Sequence, residues 1–386
     1  MYDDEFTLDE TLCYLNHAAV SPWPQRTVRA VSRFAEENGH RGSRHYDQWL
    51  QVEQALREQL RYLINALSTD EIALVKNTSE ALSVIAYGMS WNAGDEIIIT
   101  NQEFPSNRIV WESLKPLGVR VIEVDIGQNQ VPESAIAAAI KPETRLVSVS
   151  SVQYGTGFAL DLNAIGSACR EREVAFCVDA IQSLGAKPFD VQACQADFVV
   201  ADGHKWMLGP EGLALFYCRR DWISRLSLKQ YGWHMTEVMG DFSRRDWQPA
   251  TSARRFECGS PNMLGIHALQ ASMSLLLDIG ISEISNLISI KTAYLIDKLR
   301  DNSEIISPAD PERRCGIVTF KPADDDMAAR YDYLQRSGVI CALRSGGIRF
   351  SPHFYTPTRV LDRALCRTFE AMPQDQASVQ ESPLSY

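Results

Sequence analysis

Between residues 72 and 218 the chain repeats one unit: a short run of consecutive apolar residues, then a longer amphipathic stretch. The runs are Ile72–Val75, Glu96–Thr100, Val119–Asp125, Thr144–Ser151, Val174–Ala180, Asp197–Ala201 and Leu213–Cys218. Most are continuous rather than alternating, the pattern of strands covered on both faces. Helical spacing fits the stretches 79–89, 107–117, 132–140 and 161–172 between them. Strands that alternate with helices of this length build an α/β fold with a mostly parallel sheet, here of seven strands. A further helix is expected at 24–39, where Pro24 suits a first turn and Gly39 follows the last apolar position.

The pattern changes after residue 262. Helical stretches at 263–278 and 282–301 precede a strand at Ile317–Phe320, a helix at 326–337, strands near 339–344 and 348–352, and a helix from about 358. A chain of 386 residues exceeds one ordinary core. The expectation is a large α/β domain over residues 20–262 and a smaller α+β domain from 1–19 plus 263–372. Residues 373–386, rich in Gln, Ser and Pro, are expected to form a loose tail.

A net charge of −11 disfavours nucleic acid and anionic membrane surfaces as partners. No apolar run reaches the length of a membrane span, and the acidic start Met1-Tyr2-Asp3-Asp4-Glu5 lacks the features of a signal peptide, so the expected location is cytoplasmic. The nine cysteines stand singly, mostly in apolar runs, and the seven histidines lack ligand spacing. Reduced core thiols and no metal site are expected.

Chemistry concentrates at Asp202-Gly203-His204-Lys205-Trp206. A lysine just after an apolar strand sits where a parallel sheet opens its ligand crevice. Twenty-six residues earlier another strand ends in Asp179 and should point into the same crevice. Pyridoxal 5′-phosphate chemistry needs such a pair. A lysine holds the aldehyde as a Schiff base, and a carboxylate keeps the pyridine nitrogen protonated so that the ring accepts electrons. Asn77-Thr78-Ser79-Glu80-Ala81 opens a helix after the first strand, an arrangement that offers free N–H groups and hydroxyls to a phosphate. No G-x-G-x-x-G follows that strand, which argues against a dehydrogenase.

The motifs LNHAA at 15–19, NTSEA at 77–81, EFPSN at 103–107, VDAIQS at 178–183, GHKWMLGPEG at 203–212, FECGSPN at 256–262 and RFSPH at 349–353 occur in one order. In this the chain resembles the class V aminotransferase family of pyridoxal-phosphate enzymes (fold type I), which includes cysteine desulfurases. The resemblance implies that Lys205 carries the cofactor and shuttles the α-proton, and that Asp179 pairs with the ring nitrogen. Gln182 would meet the ring hydroxyl, Thr78 and Ser79 would hold the phosphate with His204 assisting, and Phe104 would stack on the pyridine face. Ser260 would reach the phosphate of a partner subunit, which implies a homodimer with shared sites. Arg349 would clamp the carboxylate of an amino-acid substrate, with Asn16 and His17 beside it.

Some positions depart from the family pattern. Phe104 stands where desulfurases usually carry a proton-transferring histidine. The segment Arg344-Ser345-Gly346-Gly347 is short and lacks their nucleophilic cysteine, while Cys341 lies in the apolar run 339–343. Tyr154 stands where relatives often have asparagine beside the ring hydroxyl. Asp202 replaces a phosphate-binding hydroxyl, so its carboxylate is expected to point away from the phosphate. The reaction expected first is transamination of a small amino acid. A β-eliminating C–S lyase and an epimerase are the alternatives on the same residues, and a non-catalytic binding protein is the alternative outside enzymes.

Overall fold

The computed structural model describes residues 3–127, 131–323 and 326–372. Strand β1 (Cys13–Tyr14) precedes helices α1 (Gln25–Arg41) and α2 (Tyr46–Leu63). The α/β repeat follows as β2 (Ile72–Val75), α3 (Thr78–Gly88), β3 (Glu96–Thr100), α4 (Ser106–Glu112), β4 (Arg120–Val124), α5 (Pro132–Ala139), β5 (Thr144–Ser150), α6 (Leu162–Glu171), β6 (Ala175–Asp179), β7 (Phe198–Asp202) and β8 (Ala214–Cys218). The short α7 (Arg220–Ile223) leads towards α8 (Met263–Ile279) and α9 (Ile281–Leu299). The chain closes with β9 (Ser303–Ile305), β10 (Val318–Pro322), α10 (Met327–Arg336), β11 (Val339–Ile340), β12 (Ala342–Arg344), β13 (Gly347–Phe350) and α11 (Thr358–Phe369).

The large sheet has the order β2-β8-β7-β6-β5-β3-β4. All its pairings are parallel except those of β8, which runs antiparallel to both neighbours. β8 is reversed because the chain returns from β7 through a loop with no crossover helix. The strands β6, β7 and β8 are buried at every position. On one face Leu56, Leu60, Ile136, Ile165, Ile266 and Leu269 cover the sheet, and on the other Leu82, Ile85, Val110 and Trp111 do so. Each such side chain contributes about 2 kcal/mol through removal from water, which is why a continuous apolar run is stable only between two helical layers.

A four-stranded antiparallel sheet, β12-β13-β10-β9, forms the second sheet system. Its core joins Leu15, Leu295, Leu299, Phe320, Phe350 and Leu361. The N-terminal segment docks there because β1 pairs in parallel with β11, Cys13 opposite Val339 and Tyr14 opposite Ile340. An isolated bridge from Asn16 to Ser351 extends the contact.

Several features differ from the sequence reading, among them the unanticipated short strands β1 and β9. Helix α2 was not anticipated: its core-facing stripe Trp49, Leu56, Leu60 and Leu63 is interrupted by Glu53 and Arg57, which are buried as an ion pair at 2.6 Å. The helix expected at 107–117 ends at Glu112, and a 3₁₀ turn at Lys115–Leu117 carries Pro116. The strand expected at 339–344 breaks at Cys341, because β11 pairs with β1 whereas β12 pairs with β13. Finally, α8 packs on α1 and α2, with Ile266, Leu269, Met273 and Leu276 in the core of the large sheet. The bend of 81° between α8 and α9 does not end this packing: Ile284 and Ile288 of α9 still join the core of the large sheet, whereas Leu295 and Leu299 join the second core. The expected tail, 373–386, lies outside the described residues.

Candidate active site

Strand direction gathers the chemistry at one edge of the large sheet. β2, β3, β5, β6 and β7 all run the same way, so their C-terminal ends open together. From these ends project the first turn of α3, the loop with Phe104, the loop with Tyr154, Asp179 itself, and the β7–β8 loop with Lys205. Open α/β sheets bind ligands at such an edge.

Lys205 is buried and makes no ion pair among the described residues. Burial, then the nearby charge of Arg349, pulls its pKa below the ordinary value, against the pull of Asp179 and Asp202. Its ammonium lies 5.6 Å from the centre of the Phe104 ring. Asp179 is buried too, and one carboxylate oxygen accepts the Ile181 N–H at 3.1 Å. Burial, offset by that bond and reinforced by the charge of Glu103, raises its pKa. This is a carboxylate that lacks the cationic partner it would favour, and a protonated pyridine nitrogen is such a partner.

Several buried polar atoms here have no hydrogen-bond partner: Thr78 Oγ1, Asp202 Oδ1, His204 Nδ1 and Arg349 Nε. Buried groups left unpaired are costly, and their convergence marks a place built for a polar ligand. Thr78 begins an eleven-residue helix capped by Asn77, whose side chain accepts from Glu80 N–H at 2.8 Å. His204 is held neutral, its pKa lowered to about 4 by burial and then by Lys205, with Nδ1 3.9 Å from Asp202 Oδ1. Helix start, hydroxyl, neutral imidazole, buried lysine and orphan carboxylate together fit a phosphorylated pyridine aldehyde.

Arg349 is 2 % exposed and has no carboxylate partner among the described residues. It donates to the Tyr154 carbonyl at 2.7 Å and to Asn16 Oδ1 at 3.3 Å. Burial, then the like charge of Arg344, lowers its pKa to about 9. A desolvated guanidinium without an anion is a receptor for a carboxylate. Phe104 is part-exposed, and its ring meets Tyr154 edge-on at 5.1 Å.

Other expected residues lie elsewhere or are occupied. His17 is fully buried, with Nδ1 against the Ser351 carbonyl and Nε2 against the Tyr355 hydroxyl, both at 2.7 Å. It braces Asn16 rather than lining open space. Gln182 donates to the Ala18 carbonyl and accepts from the Trp206 indole, which leaves one N–H for a ligand. Ser79 is exposed and donates to Ser106 at 3.0 Å. Ser260 is exposed and borders a depression shared with Lys76, Glu80 and Gln230, not the crevice of its own chain. Asp202, expected to turn away, faces the helix start: its Oδ2 accepts the Thr78 N–H at 3.1 Å. The reason is that this N–H is otherwise unpaired, and a buried carboxylate needs donors.

Two residues of this region carried no role in the sequence reading. Glu103 is buried and takes donors from Thr100 Oγ1, Asn107 Nδ2, Ser150 N and Ser150 Oγ, bolting the Phe104 loop to the end of β5. Its place just before Phe104 was a usable signal. Arg344 entered the sequence reading only as the first residue of a short segment. A depression of about 980 Å³ beside Lys187, Asp190 and Arg313 contains none of the orphan groups.

The sequence profile of the Aminotransferase class-V family matches residues 13–356. A protein of Methanothermobacter thermautotrophicus named "Probable cysteine desulfurase" is 34% identical over 340 residues, covering 86% of this chain and 83% of its own. A Bacillus subtilis protein named "Uncharacterized aminotransferase YcbU" is 27% identical, covering 94% of this chain and 95% of its own. Among solved structures, the cystine C-S lyase C-DES in complex with its reaction product cysteine persulfide superposes with a TM-score of 0.87 at 22% identity, covering 94% of this chain and 99% of the other. That likeness establishes the fold.

Proposed function

The chain belongs to the class V aminotransferase family of pyridoxal-phosphate enzymes, and from that premise we propose that it is a C–S lyase that eliminates sulfur from the β-carbon of a sulfur-containing amino acid. The observation that carries this reading is the lack of an available thiol at the crevice among the described residues. The turn between β12 and β13 holds no cysteine, and Cys341 is buried with its pKa pushed up to about 12 by burial. With no thiolate to receive sulfur, the sulfur must leave with its substituent. The names of the desulfurase relative and of the C-S lyase structure support C–S chemistry; transamination, expected first from sequence, has the name of the uncharacterised Bacillus subtilis relative on its side.

Bound pyridoxal phosphate would supply the electron sink for charge developing at the α-carbon. Lys205 Nζ, its pKa lowered, is suited to take the α-proton near neutral pH. Asp179 holds a proton at the ring nitrogen. Arg349 binds the α-carboxylate, with Asn16 and the Tyr154 carbonyl fixing its fork. Phe104 offers an apolar ring that carries no proton, with the Tyr154 ring edge-on to it, consistent with a leaving thiolate of low proton demand. A homodimer is part of the proposal: Ser260 is exposed beside the start of α3, where a partner could approach it.

The test is product analysis of the purified holoenzyme with L-cystine, L-cysteine and S-alkyl cysteines. Elimination predicts equal amounts of pyruvate, ammonia and the sulfur-bearing product, with no added acceptor and no loss on thiol alkylation. A rate that requires a 2-oxo acid and yields its amino acid would replace this reading with transamination.

A further inference from the structure

Arg344 stands beside the carboxylate receptor. In the β12–β13 pair Ala342 is opposite Arg349, and Arg344 is opposite Gly347. Opposed residues of an antiparallel pair share a face, as do residues two apart on one strand. Arg344 and Arg349 therefore project from the same face as diagonal neighbours, about 7–8 Å apart at their origins. That face looks onto the 153–157 loop: Arg349 donates to the Tyr154 carbonyl and Thr319, opposite Arg349 on β10, donates to the Gly155 carbonyl at 2.6 Å. The turn after Arg344 presses on the same loop, since a side chain at Gly155 would meet Ser345 Oγ at 2.1 Å. Arg344 is thus held at the rim of the crevice, half-buried.

Its only hydrogen bond among the described residues is to the Leu343 carbonyl at 2.9 Å, and it has no acidic partner there. Its charge acts on both Lys205 and Arg349. The charges acting on Asp202, at the phosphate end, are those of Lys205 and Glu211. Arg344 at the rim and the buried Arg349 therefore present two guanidinium groups of like sign on one face, on the side of the substrate rather than of the phosphate. Like charges held this close are unfavourable until anions join them. One anion is the α-carboxylate at Arg349, which leaves a second cation unmatched.

We infer that Arg344 is a second carboxylate clamp, and that the substrate bears a second carboxylate at the far end of its side chain. This rests on the amino-acid reading of the site given above. On a C–S lyase the second carboxylate belongs to the departing thiol, so a disulfide-linked or thioether-linked pair of amino acids fits better than free cysteine.

The experiment separates binding from turnover. Glutarate and butyrate share a chain but not a second carboxylate, and neither has an amine, so calorimetric titration of the holoenzyme with each reports the clamps alone. The native protein should bind glutarate about 10- to 100-fold more tightly, the worth of one charge-assisted pair. Arg344→Gln should bring the ratio close to one, and Arg344→Lys should retain part of it. Equal native affinities, or a preference that survives Arg344→Gln, would overturn the inference; if that variant does not fold, the native ratio and Arg344→Lys decide. In parallel, kcat/KM for L-cystine is compared with that for S-(methylthio)-L-cysteine, which lacks the second carboxylate. A glutarate preference without turnover of any amino acid would remove the lyase reading and leave the clamp. Turnover with no preference in either pair would remove the clamp and leave the lyase.

Discussion

Asp202 places its carboxylate against the Thr78 backbone N–H, 3.1 Å away, so an acid occupies the first turn of the helix best suited to an anion. Burial, partly offset by this bond, raises its pKa to about 6. At neutral pH the group is ionised and opposes a phosphate on the same helix start. Asp202→Asn keeps an acceptor for Thr78 and removes the charge. The apoprotein variant should bind pyridoxal phosphate more tightly by roughly 1 kcal/mol, about fivefold in Kd. Fluorescence titration measures this at pH 7.5. The gain should shrink towards pH 5, where native Asp202 takes up a proton. Weaker binding by the variant would mean that the carboxylate helps hold the cofactor.

Asp179 and Lys205 lie at the ends of adjacent strand systems, and each shifts the other. Asp179→Asn retains the shape but not the charge that holds a proton on the ring nitrogen. Turnover should fall by about 100-fold or more, while borohydride reduction still fixes the cofactor to Lys205. Lys205→Ala should abolish that fixation. Peptide mass analysis after reduction separates the two outcomes, and a near-normal rate in Asp179→Asn would refute the role.

His17 is neutral in the fold, its pKa lowered to about 4 chiefly by burial, from an ordinary value of 6.5. The unfolded chain binds the proton more readily than the folded one. The stability it contributes is complete above pH 6.5 and is lost as pH falls towards 4. His17→Asn lacks this linkage. The stability gap between native and variant, from urea unfolding, should be widest at pH 7 and narrow by up to about 3 kcal/mol at pH 4. A gap that widens on acidification would show that His17 is charged in the fold.

Periodicity revealed the large sheet because its strands are buried on both faces, and burial requires unbroken apolar runs such as those of β6 and β7. It missed α2 because Glu53 and Arg57 face the core and neutralise one another there, with Glu257 at 2.7 Å from Arg57. Paired charges read as surface in one dimension. The convergence of Lys205, Asp179 and Thr78 at one sheet edge was legible because each stands at or just past a strand end, and strand ends converge in any parallel sheet. Asp202 was misread because only the three-dimensional position of the Thr78 N–H supplies its donor. Arg344 acquires its place from the register Ala342 opposite Arg349, which no single strand reveals.

Cys341 gives the last test, on which the type of reaction depends. It is 2 % exposed, between β11 and β12, in the core formed by Leu334, Val339 and Phe350. Burial pushes its pKa up to about 12, and the pull of Arg349 does not reverse this. A thiol in that state is a poor nucleophile at pH 7 to 8. Cys341→Ala should change kcat/KM by no more than about threefold, because covalent catalysis is not involved. It should lower stability by about 1 kcal/mol through the small void left in the core. Iodoacetamide should label the exposed Cys366 and the part-exposed Cys258 well before Cys341, with activity unaffected by the first two. If Cys341 is instead labelled rapidly, is protected by substrate, and its loss removes activity, sulfur passes through the protein and the enzyme transfers a persulfide rather than releasing one.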